Sequence, residues 1–207
     1  DYYSYFSAGM VIFVVLFSSL FIGANVIFDK RLGYVKKLTV APVPRSVILG
    51  ASVAAGVFRC LLFGGLVFGI ALLFHQIPGL SGLTVTARVS AVSVIEIFLA
   101  MALLAAAFTS LFITLGYVIE QIEAYFALVN LVNLPLLFSS TALAPATIMP
   151  GWLRYIANGN PITLSINVLR ENLFPYVGYY TYAPEIYLGI LALFAIAVVA
   201  LCVRVTI

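Results

Sequence analysis

Charge is what this sequence has least of. Only 8% of its 207 residues are Asp, Glu, Lys or Arg, whereas 64% are hydrophobic, and the mean hydropathy is +1.20. A water-soluble domain of this length needs more charge to cover its surface, so lipid is the solvent for most of the chain. Histidine is almost missing: His75 stands alone and cannot by itself build a metal site. The two cysteines, Cys60 and Cys202, fall in separate apolar runs without metal-ligand spacing and read as buried thiols. No G-x-x-x-x-G-K-[ST] is present to cradle nucleotide phosphates. Nor is there a Ser/His/Asp set or a carboxylate pair in a polar segment. The chain therefore reads as no enzyme, and work against a gradient would need fuel from another protein. The net charge of +3 does not point to nucleic acid, because the basic residues are not spread over a solvated face. Repeats of twenty to fifty residues and Ser- or Gly-rich linkers are also missing, which leaves one membrane domain over 1–207.

Apolar runs dominate what remains. Five stand out, at about 5–28, 47–74, 89–116, 125–143 and 184–204. Each is long enough to cross a hydrocarbon core of about 30 Å at a rise of about 1.5 Å per residue. The expected fold is an all-α, polytopic membrane protein with five visible spans.

The scarce charge is concentrated. Five of the ten Lys and Arg residues lie in one loop, 29–46: Lys30, Arg31, Lys36, Lys37 and Arg45. With Arg204 they put six cations on one side, against Arg88, Arg154 and Arg170 on the other. The positive-inside rule then makes loop 29–46 and the C-terminus cytoplasmic. Loop 117–124 falls on the same side with Glu120 and Glu123 and no base, and acids weigh little in that rule. Within loop 29–46, Leu32, Val35 and Leu38 fall at i, i+3 and i+6, the spacing of one face of a short helix, with Lys36 and Lys37 pointing elsewhere. Pro42 and Pro44 stop such a helix. A helix of two turns is marginal alone in water and needs a surface to pack on. A loop that only sets topology beside anionic lipid fits the periodicity as well.

Segment 144–183 is too polar and too rich in proline to cross. Pro150 can open a short helix, and Trp152 and Tyr155 suit a membrane interface. Asn160 is a good N-cap and Pro161 a good first residue for a second helix, whose Ile162, Ile166, Leu169 and Leu173 form one apolar stripe. Two helices on the outer surface, or a re-entrant pair, both fit. At membrane depth stand Arg59, midway along its run, and Glu96, a third of the way into the next. A salt bridge between them, a snorkelling arrangement or a substrate-lining role are all open. Asn130 and Asn133, followed by Pro135, offer amides for interhelical hydrogen bonds or for a transported molecule.

The order of these features resembles the permease subunits of type-2 ABC exporters, the ABC-2 membrane family. The residues that carry the resemblance are Asp29-Lys30-Arg31, then Gly33, a short segment over Tyr34 to Thr39, and Pro42-Val43-Pro44-Arg45. Later come Ala144-Pro145, Met149 to Arg154, Asn160-Pro161-Ile162-Thr163 and Leu169-Arg170, most similar to the drug-export branch. Asp29-Lys30-Arg31 stands where that family commonly has a Glu-Arg-Glu-like cluster. The family also begins with an amphipathic interface helix and a first span, so the resemblance places the start of this sequence after them, with six spans in the complete subunit. It implies a coupling helix formed by Asp29, Lys30, Arg31, Gly33, Val35, Lys36, Lys37, Leu38, Pro42 and Arg45 against a separate nucleotide-binding subunit. It implies a hairpin with Trp152, Asn160, Pro161 and Arg170 at the exit. It further implies ATP and Mg on that partner rather than on this chain, a second permease chain forming a homodimer, and the plasma membrane of a prokaryote. The expected cargo is an amphipathic drug, lipid-like molecule or glycolipid. A secondary transporter or channel, and a membrane scaffold without transport, remain the alternatives.

Overall fold

The computed structural model describes residues 2–33, 44–75, 90–174 and 182–206. Among these residues seven α-helices follow one another: α1 (Tyr2–Arg31), α2 (Arg45–His75), α3 (Ala91–Val118), α4 (Ile122–Phe138), α5 (Gly151–Gly159), α6 (Pro161–Leu173) and α7 (Pro184–Thr206). A 3-10 turn, Ala146–Ile148, precedes α5, and no strand occurs among the described residues. The all-α polytopic expectation holds.

Among the described residues four helices are long and apolar enough to cross a membrane, over Ser4–Arg31, Val47–Phe74, Ala91–Val118 and Pro184–Val205. The run expected at 125–143 differs. Its helix, α4, has 17 residues and stops at Phe138, five residues early. Pro135 lies inside its last turn, and serine hydroxyls then take the terminal carbonyls: Ser139 Oγ donates to Leu136 O (3.3 Å) and Ser140 Oγ to Leu137 O (2.6 Å). With those groups satisfied locally, the chain turns instead of continuing.

Helix α3 is the hub, packed against α1, α2, α6 and α7. In lipid, helices gain little from hiding apolar surface, so close backbone approach decides who packs with whom. Gly23 of α1 and Gly116 of α3 supply it: a Cβ at Gly116 would lie 2.5 Å from the Gly23 carbonyl. A Cβ at Gly23 would strike the Phe112 carbonyl and the Tyr125 hydroxyl, and that hydroxyl, fully buried, donates to Leu20 O (2.8 Å). Helix α2 docks through Gly56, Cys60 and Gly64, one small residue per turn. Its opposite face, with Phe58, Leu62, Leu66 and Leu73, is bare.

Helix α6 does not lie on a surface. Its expected stripe, Ile162, Ile166, Leu169 and Leu173, is buried, and so are Leu164, Val168 and Arg170 on its other sides. It sits inside the bundle against α3, α7 and α1, whereas α5 leaves Trp152 and Tyr155 largely exposed.

Candidate functional site

Two ends of the bundle carry the polar architecture. At the first, α1 runs into loop 29–46. The helix stops where Gly33 adopts φ +73, a conformation that disfavours side chains, with its N–H on Lys30 O (3.0 Å). Lys30 turns back into the bundle. Its Nζ donates to Tyr117 O (2.6 Å), Gly116 O (3.3 Å) and Ile119 O (3.4 Å), the carbonyls at the C-terminal end of α3. A cation there meets both unpaired carbonyls and the negative end of the helix dipole. Lys30 therefore ties the root of the loop to the hub helix. Asp29 and Arg31 are exposed, as is Leu32, 81% open in the turn after α1 rather than on a helical stripe. Arg45 opens α2. Val35, Lys36, Lys37, Leu38 and Pro42 lie outside the described residues.

The second end is built around α6. Asn160 caps it as expected, its Oδ1 accepting from Ile162 N (2.9 Å) with Pro161 behind it. Its Nδ2 donates to Leu136 O (2.6 Å) and to Ser139 Oγ (3.1 Å), so one amide fixes the start of α6 and the end of α4 together. Arg170 is 1% exposed. It donates to Tyr5 O (3.0 Å), Thr141 O (2.9 Å) and Thr141 Oγ1 (3.3 Å), and its guanidinium carbon lies 3.3 Å from the centre of the Tyr5 ring. The Tyr5 hydroxyl donates to the same Thr141 carbonyl (3.1 Å). A buried charge is tolerable only with such hydrogen bonds and a facing π-system, and here they join α1, the turn after α4, and α6.

Acids gather beside this clamp. Asn172 Nδ2 donates to Glu96 Oε2 (2.9 Å), so Glu96 partners the hairpin rather than Arg59. Counted from the hairpin ends of their helices, Arg59 and Glu96 sit roughly 15 Å apart in depth, beyond the reach of a direct pair. Burial above all, then the like charges of Glu185 and Glu96, raises the Glu171 carboxyl pKa above its ordinary value. Its Oε2 is buried without a hydrogen-bond partner among the described residues.

Asn130 and Asn133 part company. The buried face of α4 runs Tyr125, Val129, Asn133, Leu137, four residues apart, and Asn130 falls just beyond its edge, exposed. Asn133 is 1% exposed, with neither Oδ1 nor Nδ2 hydrogen-bonded among the described residues. Sequence reasoning passed over Tyr5, Thr141 and Asn172. An arginine placed directly after a stripe residue, Leu169, was the signal that a buried partner set had to exist.

The bundle is thus a polytopic α-helical membrane protein whose charges lock its helix ends. Residues 1–174 match the model of the family described as ABC-2 type transporter, and the chain belongs to that family. Among curated proteins it is 31% identical over 173 residues to one named "Putative transport permease ycf38" from Cyanophora paradoxa, covering 82% of this chain and 56% of that protein. It is 34% identical over 172 residues to the protein of the same name from Porphyra purpurea, covering 82% and 55%. The chain spans about half the length of these relatives.

Proposed function

We propose that the chain is the membrane-spanning part of an ATP-driven exporter, with hydrolysis of Mg-bound ATP on a separate nucleotide-binding subunit and a second permease chain completing the pathway. Loop 29–46 faces the cytoplasm in this reading and takes the mechanical stroke. The observation that carries it is the Lys30 contact. A push on the loop enters α1 at Arg31 and Gly33, and the Lys30 ammonium passes it to the end of α3, the helix on which all other long helices pack. Rigid-body tilting of the bundle then follows without chemistry in the membrane.

Amphipathic cargo, such as a drug, a lipid-like molecule or a glycolipid, suits a bundle with broad bare apolar faces. The unpartnered amide of Asn133 is the group in α4 best placed to sense a polar cargo atom or a bound water. Leu38→Asp tests the coupling. It is expected to abolish ATP-dependent transport while the protein still inserts and its ATPase still binds ATP, and normal transport by that variant would overturn the reading. Asn133→Ala is expected to change the preference among substrates and to leave ATPase docking intact. Co-purification with a P-loop subunit and substrate-stimulated hydrolysis in lipid complete the test.

A further inference from the structure

Three carboxyl groups gather at the hairpin end of the bundle, one from each of three helices: Glu96 of α3, Glu171 of α6 and Glu185 of α7. They do not stand equally. Glu185 is exposed in the first turn of α7, where water and the positive end of the helix dipole both favour a charge. Glu96, in the second turn of α3, has the Asn172 amide on its Oε2 (2.9 Å). Glu171 has neither aid. It lies in the last turn of α6, at the negative end of that helix dipole, and its Oε2 is buried with no hydrogen-bond partner among the described residues.

The cations nearby are engaged elsewhere. Arg170, the preceding residue, turns its guanidinium to Tyr5 O, Thr141 O and the Tyr5 ring. Arg154 of α5 is exposed and makes no ion pair among the described residues. The remaining titratable groups on the helices around α6 are the phenols of Tyr5 on α1 and Tyr187 on α7, which carry no charge at neutral pH. Burial first, then Glu185, then Glu96 raise the Glu171 carboxyl above the ordinary range, so it is the acid of the three that must stay neutral while the turn is seated. That turn can move by itself. Asn160 and Arg170 pin α6 upstream, whereas beyond Arg170 the buried side chains of Leu173 and Phe174 hold it down.

We propose that Glu171 is a proton-operated latch on the hairpin. With its proton on, the last turn of α6 stays seated against α3 and α7; with the proton lost to water, residues 171–174 lift until the carboxylate is hydrated. The carboxyl of the lifted turn is an ordinary one, whereas the seated one binds its proton more tightly. The seated state is therefore fully favoured below the ordinary glutamate range and loses ground as pH rises through the raised value, with no further change above it. The latch is a property of the hairpin and does not depend on the exporter reading.

Amide hydrogen exchange of the full-length permease in phosphatidylcholine nanodiscs tests it, across a series from about pH 4 to about pH 9, with each rate divided by the intrinsic rate at that pH. In the wild type, protection of the amides of 171–174 should fall by more than about twofold from acid to alkaline pH, while 164–169, upstream of the clamp, keep theirs. Glu171→Gln, which has the shape of the protonated acid, should hold the acid level of protection throughout. Glu185→Gln removes one like charge from an exposed position and should shrink the wild-type fall without abolishing it. A flat wild-type profile would overturn the latch, and so would an equal fall in Glu171→Gln. A loss spread evenly over all of α6 would overturn it too, since the whole helix and not its last turn would then be responding. If Glu171→Gln does not fold, the ionised carboxylate is needed in the seated state and the proposal is wrong.

Discussion

Helices α1 and α2 are near twins in sequence terms, each apolar throughout and each long enough to span. In the bundle they have opposite fates: 61% of the residues in the most apolar stretch of α1 are buried, against 11% in α2. Hydropathy cannot separate them, because lipid and a protein core are equally apolar neighbours. Backbone access does. Gly9 and Gly23 of α1 sit against the backbones of Ala142 and Phe112, whereas Gly50 and Gly69 of α2 have nothing within 4 Å of a Cβ. A helix is covered where its small residues let other backbones in, and bare where they open onto nothing.

The sharpest way to break that comparison is to exchange one glycine on each helix. Gly23→Leu forces a side chain into the Phe112 carbonyl and the Tyr125 hydroxyl, and should cost more than about 3 kcal/mol, enough to lose the monodisperse peak on size-exclusion chromatography. Gly69→Leu should leave peak and melting temperature where they are. Equal damage from both would mean that α2 is covered in the assembled protein as fully as α1.

Next in size is Arg170→Gln. It withdraws the guanidinium from Tyr5 O, Thr141 O and the Tyr5 ring, freeing the start of α1 from α6. We expect a loss of about 3 kcal/mol, read as a lower thermal midpoint in detergent. Lys30→Met follows, at about 1 kcal/mol, since it removes one cation from the end of α3. Its stability effect is small, but ATP-coupled transport should fall far more than stability does if the loop's stroke runs through that contact.

These residues also mark where the sequence could be read and where it could not. The long helices, the cap at Asn160 and the apolar stripe of α6 follow from periodicity and local chemistry, which neighbouring residues in the chain carry by themselves. The early stop of α4 was legible in part: Pro135 was visible, but the serine hydroxyls that end the helix act only once the turn exists. The burial of α6 on every side, the separation of Asn130 from Asn133, and the pairing of Glu96 with Asn172 instead of Arg59 all depend on partners 29 to 165 residues away or on the edge of a packed face. Lys30 shows the limit best. As a base in a basic loop it counts towards topology, and nothing local says that it folds back onto a helix 86 residues later.

The smallest effect concerns Glu171, an acid on the covered side of the bundle. Its carboxyl pKa is raised, by burial first and by Glu185 and Glu96 second, so the folded state holds its proton more tightly than the unfolded chain does. Stability is then complete below the ordinary glutamate range and declines as pH rises through the raised value, because the charged form is penalised only when folded. Glu171→Gln removes the penalty. The variant should melt slightly higher than wild type at neutral pH and level with it in acid, a convergence that a pH series of thermal melts would detect. Arg59→Gln, on the bare face of α2, should leave the shape of that pH profile unchanged, since Arg59 is not among the charges that raise the Glu171 carboxyl. A matching pH dependence at Arg59 would mean that an acid reaches it in the assembled protein, and the contrast between the covered helix and the bare one would have to be redrawn around that contact.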